Sequence, residues 1–187
     1  MENERIVEAI KLLRQAMDTE GVNPQNGMPT ELFLFASSLI PCANVDLFIT
    51  DPEKGLLLAW RDDPYCGRGW HIPGGCLRIK ESLDHRIQQT AINEIGTKVL
   101  YDRDTFLTRE DIRYDERPWL ENQLERSHNI SMLFRCRLPK EYHITNSVTE
   151  KHTVGYLKWF KSMPNDLLPL HINLYGDIIA AFFDEEK

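Results

Sequence analysis

Residues 70–96 read WHIPGGCLRIKESLDHRIQQTAINEIG, and their pattern decides the fold. A short apolar run ends in Pro73-Gly74-Gly75 and a polar turn follows. Leu83, Ile87, Ala91 and Ile95 then recur every four residues, up to Gly96. That spacing predicts a helix over 82–95 with one apolar face, stopped by Gly96. Gly74-Gly75 predicts a sharp turn at which the backbone can approach a ligand, because no Cβ stands in the way. On the helix Glu94 falls beside the apolar stripe. A carboxylate there, near a bare glycine carbonyl, is a donor pair for a hard cation. Read from the residues alone, a Gly-Gly before a helix is more often a plain turn than a ligand site.

Outward from this segment, residues 43–50 and 56–61 are apolar and β-rich. Asp51-Pro52-Glu53-Lys54-Gly55 between them predicts a hairpin turn. Residues 62–69 read as a polar loop. Towards the N-terminus, Ile6, Ile10, Leu13 and Met17 give residues 4–19 one apolar helical face, and Gly21 ends it. A turn-rich linker follows over 21–29, and Thr30 is placed to cap a short helix reaching Ser38. This divides the chain into an N-terminal helix and linker, 1–28, and a domain over 29–187. Beyond the central helix, strands are predicted over 129–138 and 155–160 and a last helix over 173–183. Strands and helices mixed at uneven spacing predict α+β or α/β/α layering, not a doubly wound sheet.

At 187 residues the chain is about one domain by a prior of roughly 150 residues each, large enough to bury a core without disulfides or a structural metal. The 22 basic against 29 acidic residues give −7, which argues against a nucleic-acid partner, since phosphate binding rests on surplus Lys and Arg. The most apolar stretch, 32–40, is far shorter than the roughly 20 residues of a membrane span. The opening Met1-Glu2-Asn3-Glu4-Arg5 is acidic where a signal peptide is basic, so the expected location is cytoplasmic. Cys42, Cys66, Cys76 and Cys136 lack metal-ligand spacing and read as inert thiols in a reducing compartment.

The same segment resembles the signature of the Nudix hydrolase superfamily: Gly, five residues, Glu, seven residues, then Arg-Glu-hydrophobic-x-Glu-Glu-x-Gly-hydrophobic. Gly75, Glu81, Glu94 and Gly96 hold that frame, and Trp70-His71-Ile72-Pro73-Gly74-Gly75 resembles the usual lead-in. The Arg position is Gln89, and two metal-binding Glu positions are Thr90 and Asn93. A similarly degenerate box with the last Glu retained occurs in the GDP-mannose mannosyl hydrolases, and the likeness to that branch runs from about Thr30 to Phe183. Asp46 and Arg61 match its opening hairpin, Ser127-His128 onward its central strand, and Glu150-Lys151-His152 with Tyr156 and Trp159 its catalytic loop.

The resemblance implies a Nudix α/β/α sandwich around a mixed sheet, preceded by an extra N-terminal helix. It implies a metal-dependent hydrolase of a nucleoside diphosphate sugar that attacks the anomeric carbon. Glu94 and the Gly74 carbonyl would hold Mg²⁺ or Mn²⁺, Arg61 would bind the diphosphate, and His152 would act as general base. Asp46, Arg78, His128 and Lys151 would complete substrate binding. Cys76 stands where the branch has a diphosphate-binding Arg, and Lys151 where it has a metal-ligating Gln. Two alternatives stay open: an ordinary Nudix pyrophosphohydrolase attacking phosphorus, and a non-catalytic Nudix-fold binding module. A homodimer paired through the first helix is a further expectation. His71 reads equally as a packed strand residue or a site residue. His85 reads as solvated, Glu81 as a tie between loop and helix, and Trp119 as a residue that stacks on a base or sugar or pins its loop.

Overall fold

The computed structural model describes residues 3–64, 66–103, 107–112, 128–146 and 150–185. Helices α1 (Glu4–Thr19) and α2 (Thr30–Leu39) lead into strands β1 (Cys42–Asp51), β2 (Gly55–Asp63), β3 (Gly67–His71) and β4 (Gly74–Cys76). Then come α3 (Leu83–Ile95), β5 (Leu100–Tyr101), β6 (Leu107–Ile112), β7 (His128–Arg137), β8 (Leu157–Phe160) and α4 (Pro169–Glu185). The eight strands form one mixed sheet, with β1 running parallel to β7 from Cys42↔Asn129 to Ile49↔Cys136.

Alternation along the strands splits the core in two. Val45, Leu47 and Ile49 of β1, Leu57 and Ala59 of β2 and Phe134 of β7 pack against Ile87, Ala91 and Ile95 of α3. Phe48, Leu56, Leu58, Trp60 and Leu133, on the opposite face, pack against Leu174, Tyr175, Ile179 and Phe183 of α4. Period-two strands between two amphipathic helices give the expected α/β/α sandwich. α1 buries none of its residues. Among the described residues, no helix is long and apolar enough to cross a membrane. All four cysteines are free thiols.

The sheet is split where the site forms. β1 pairs with β2 only at Thr50↔Leu56 and Asp51↔Gly55, whereas its first half pairs with β4 at Asn44↔Cys76, Val45↔Gly75 and Asp46↔Gly74. The far half of β2 pairs instead with β3, from Ala59↔His71 to Asp63↔Gly67. A cleft therefore opens between β2–β3 and β1–β4.

Several expectations change. Residues 62–69 are not a loop: the hairpin continues through Asp62↔Arg68 and Asp63↔Gly67, its polar side chains facing out at the sheet's edge. Gly74-Gly75 makes no sharp turn but lies in β4, without positive φ. Thr30 is the first residue of α2 and not its cap; Pro29 precedes it, with no side-chain capping bond. Ser82 does cap α3, accepting a hydrogen bond from the His85 N–H at 3.2 Å. α4 begins at Pro169, earlier than the apolar pattern suggested. β6, reading LTREDI, has no apolar alternation and owes its strand form to pairing with β7. Trp119 and Ser127 lie outside the described residues.

Candidate active site

Gly74 and Gly75 are glycines because of what faces them. A Cβ on Gly74 would sit 1.9 Å from Asp46 Oδ1, and one on Gly75 would sit 3.0 Å from Thr90 Oγ1. The first contact seats the buried Asp46 carboxylate against β4, and its Oδ2 accepts a 2.6 Å hydrogen bond from the Tyr175 hydroxyl of α4. Burial, with the neighbouring Asp46 charge, pushes that phenol far above its usual titration, so Tyr175 remains a donor.

Two polar cavities flank the cleft. One, of about 260 Å³, is lined by Asn44, Asp46, Gly74, Asn129, Ser131 and His171 among others. The other, of about 480 Å³, is lined by Trp60, Asn93, Glu94, Tyr142, Asn146 and Gly155 among others. Arg61 and His71 line both. They share one sheet face: Arg61 stands opposite Gly69, which offers no side chain, and His71 lies two residues further along β3. Arg61 also pairs with Asp63 at 3.3 Å.

Glu94 makes no hydrogen bond or ion pair among the described residues. Burial raises its pKa, and the Arg61 charge offsets only part of the rise. One turn earlier on α3, the buried Thr90 hydroxyl has no hydrogen-bond partner. Glu81, at the other end of the segment, is fully engaged. Arg86 grips it through two bonds of 2.8 and 2.7 Å, the Arg78 N–H adds one of 2.9 Å, and His85 Nδ1 lies at 2.7 Å. Burial works to raise its pKa, but these donors outweigh it and hold the carboxyl at about 2. Glu81 is thus the expected tie between loop and helix, and His85 is half of that tie while its ring stays exposed.

His152 lies on the exposed loop before β8, its ring centroid 4.3 Å from that of Trp60. The loop is pinned to β2: the Trp60 N–H donates to Tyr156 O at 2.8 Å and the Gly155 N–H to Trp60 O at 3.0 Å. His152 lines neither cavity: its ring packs on the Trp60 side chain, on the α4 face of the sheet and not the α3 face that carries Glu94, with Asp166 Oδ2 3.8 Å from its Nε2. Lys151 is exposed next to it. Other expected members lie elsewhere. Arg78 reaches back to Gln25 O at 3.3 Å in the linker. His128 Nε2 lies 3.0 Å from Glu110 Oε1 of β6 and lines neither cavity. Gly74 faces Asp46 and lines only the smaller cavity, whereas Glu94 lines only the larger, so the expected pair is not brought together; Gly75 meets Thr90 and Arg86 of α3. Cys76, where an Arg was sought, donates from Sγ to Asn44 Oδ1 at 2.9 Å.

Sequence reading missed His171 and Tyr175. Both come from α4, four residues apart at a spacing that matches an ordinary apolar face, and only contact across the fold brings them to Ile72 and Asp46.

No family model matches the chain, and no curated protein matches it. Solved structures do. The MutT protein from Methanosarcina mazei Go1 is 16% identical, covers 78% of this chain and 95% of its own, and superposes with a TM-score of 0.51. A NUDIX hydrolase from Nitrosomonas europaea is 16% identical over 78% of this chain and 71% of its own, with a TM-score of 0.49. At these identities the likeness is one of fold, and the fold is that of the Nudix proteins.

The resemblance of residues 70–96 to the Nudix signature implies a divalent cation. Among the described residues no three His, Cys, Asp or Glu side chains are grouped to hold one. A carboxylate at Glu94 with no hydrogen bond or ion pair among the described residues and an orphaned hydroxyl at Thr90 are nonetheless hard oxygen donors one turn apart on α3, with the Gly75 backbone beside Thr90. They fit a single Mg²⁺ or Mn²⁺ that takes the rest of its shell from phosphate and water, and they do not fit a multi-cation cluster.

Proposed function

We propose that this chain hydrolyses a nucleoside diphosphate sugar, GDP-mannose being the type, by attack of water at the anomeric carbon. The observation that carries the reading is the position of Arg61, which lines both polar cavities and can hold a diphosphate whose two ends occupy them. Its planar fork suits paired phosphate oxygens. Asp46, held by Tyr175, supports the sugar or diphosphate from the α4 side.

His152 is the base. It takes the proton of the attacking water, the water oxygen bonds to the anomeric carbon, and the carbon–oxygen bond to phosphate breaks with its electron pair leaving on the nucleoside diphosphate. Trp60 gives the ring a platform, and Asp166 faces the positive charge that the ring gains. A cation held by Glu94 would neutralise the departing diphosphate. One carboxylate is enough for that task, because the nucleophile here is activated by an imidazole and not by a metal. Lys151 adds positive charge near the leaving group.

Hydrolysis in ¹⁸O-labelled water tests this. Label in the free sugar, with nucleoside diphosphate released, is expected. Label in phosphate, with sugar phosphate and nucleoside monophosphate, would replace this reading with attack at phosphorus. Saturable binding of nucleotide sugars without turnover would make the chain a binding module, the reading that Thr90 and Asn93 at carboxylate positions favour.

A further inference from the structure

His71 is 3% exposed, yet it lines both cavities. Its Nδ1 lies 2.8 Å from the Ile72 carbonyl oxygen. A carbonyl only accepts, so Nδ1 carries the proton and Nε2 carries the lone pair. The same residue fixes a second ring: the Ile72 N–H donates to His171 Nδ1 at 3.0 Å, which puts the His171 proton on Nε2. A single backbone unit thus sets two imidazoles in opposite tautomers. With Nδ1 occupied, Nε2 is the polar atom His71 has left for the cavity, and no described residue bonds to it.

We propose that His71 reads the hydroxyl beside the phosphate-bearing carbon of the ligand, its Nε2 accepting a hydrogen bond from that hydroxyl while Arg61 holds the phosphate. This rests on the nucleotide-sugar reading above. In such a ligand the carbon next to the anomeric centre carries the 2-hydroxyl, one carbon from the phosphate oxygen. Arg61 and His71 stand on one sheet face at the diagonal spacing of neighbouring strands, roughly 7–8 Å between backbones, which matches that separation once both side chains reach inward. The chemistry excludes the reverse arrangement. A phosphate oxygen has no proton to give a lone pair, whereas a hydroxyl does. Burial first, then the Arg61 charge, hold the His71 ring well below its usual titration, so it stays an acceptor and does not become an anion-binding cation. For the same reason it is a poor base and leaves that role to His152. His71 is therefore a specificity residue: it favours sugars with a free 2-hydroxyl over those lacking it, and a buried acceptor left unmet penalises the wrong ligand.

The test uses the full chain with Mg²⁺ and calorimetric titration of GDP-mannose, UDP-glucose, their 2-deoxy analogues, GDP and UDP. The parent is expected to bind the hydroxylated sugar nucleotide about tenfold more tightly than its 2-deoxy analogue, the worth of one net hydrogen bond. His71→Phe should erase that preference while leaving GDP and UDP binding unchanged, and His71→Gln should restore part of it. A His71→Phe variant that still discriminates overturns the role of His71 while leaving the substrate reading standing. A parent that binds no sugar nucleotide better than the bare diphosphate overturns the substrate reading and this proposal with it. Should the variants fail to fold, ¹⁵N spectra of the parent's imidazoles decide. An unprotonated Nε2 that shifts on adding the hydroxylated ligand, and not its 2-deoxy analogue, is expected; a proton on Nε2 overturns the proposal.

Discussion

The two ends of the Gly75–Gly96 segment each carry a glutamate, and the two are treated in opposite ways. Glu81 is surrounded by donors and held at about 2. Glu94, thirteen residues on, makes no bond among the described residues, and burial raises its pKa. A side chain whose every acceptor site is met by the protein is a strut. One left half-buried and unmet by the described residues retains capacity for something that comes from outside. A single motif thus supplies both the lock of the loop and a carboxylate left without such partners, and only the neighbours distinguish them.

If the Glu94 end carries the chemistry, residues around it should move rate and binding far more than stability. His152→Gln is expected to cut turnover by about 10²–10⁴-fold, the usual worth of a positioned base, with nucleotide-sugar affinity nearly kept. Near-parental turnover in steady-state assays would remove His152 from the mechanism and with it the attack at carbon.

The Glu81 end should behave in the converse way. Glu81→Gln leaves the buried Arg86 guanidinium short of its anionic partner, which costs about 3 kcal/mol or more and lowers Tm by roughly 6–12 °C in a chain of this size. Because the native carboxyl is held at about 2, its stabilising contribution is present above the ordinary carboxylate range and is lost as pH falls towards 2. Denaturant titrations should therefore show parent and variant converging in strong acid. A constant gap across pH would contradict the ion-pair account.

Tyr175→Phe tests the other buried carboxylate. Asp46 loses its 2.6 Å donor, at a cost of about 1–3 kcal/mol, which calorimetry would read as a fall in Tm of a few degrees. An unchanged Tm would mean that Asp46 is satisfied without α4.

Glu94→Gln should have a smaller effect on stability, and of opposite sign. Removing a charge that burial disfavours raises Tm at neutral pH. That gain fades as pH falls through the raised Glu94 titration, since protonation relieves the parent as well. Mg²⁺ binding, followed by calorimetry, should weaken in the same variant. A variant both less stable and unaltered in cation binding would make Glu94 a second strut. At the foot of the scale, removing residues 1–21 should leave a cooperative transition close to the parent's, because α1 buries none of its residues.

Much of this was legible in the chain. The period-four run from Leu83 to Ile95, the β-rich stretches on either side of Asp51-Pro52-Glu53-Lys54-Gly55 and the first amphipathic helix are local patterns. Local patterns are set by backbone geometry and by which residues avoid water, so the sequence by itself determined the elements, their alternation and hence the layered fold. The resemblance to the Nudix signature also marked Glu81 as a tie, and Arg86 and His85 prove to be its partners.

What only the tertiary structure decided is who meets whom across the sheet. Tyr175 reaches Asp46 across 129 positions, and Ile72 meets His171 across 99. Gly74 and Gly75 looked like a turn, and became a strand because β1 offered its free edge and Asp46 and Thr90 occupied the space that side chains would have filled. His71 was ambiguous in the sequence, since a lone histidine in a strand carries no record of its tautomer or its cavity. Burial, hydrogen-bond partners and the charge of a neighbour are properties of a packed interior. They exist only once distant segments have been brought into contact, and that is why Arg61 and His71 stand between two cavities that no stretch of the chain announces.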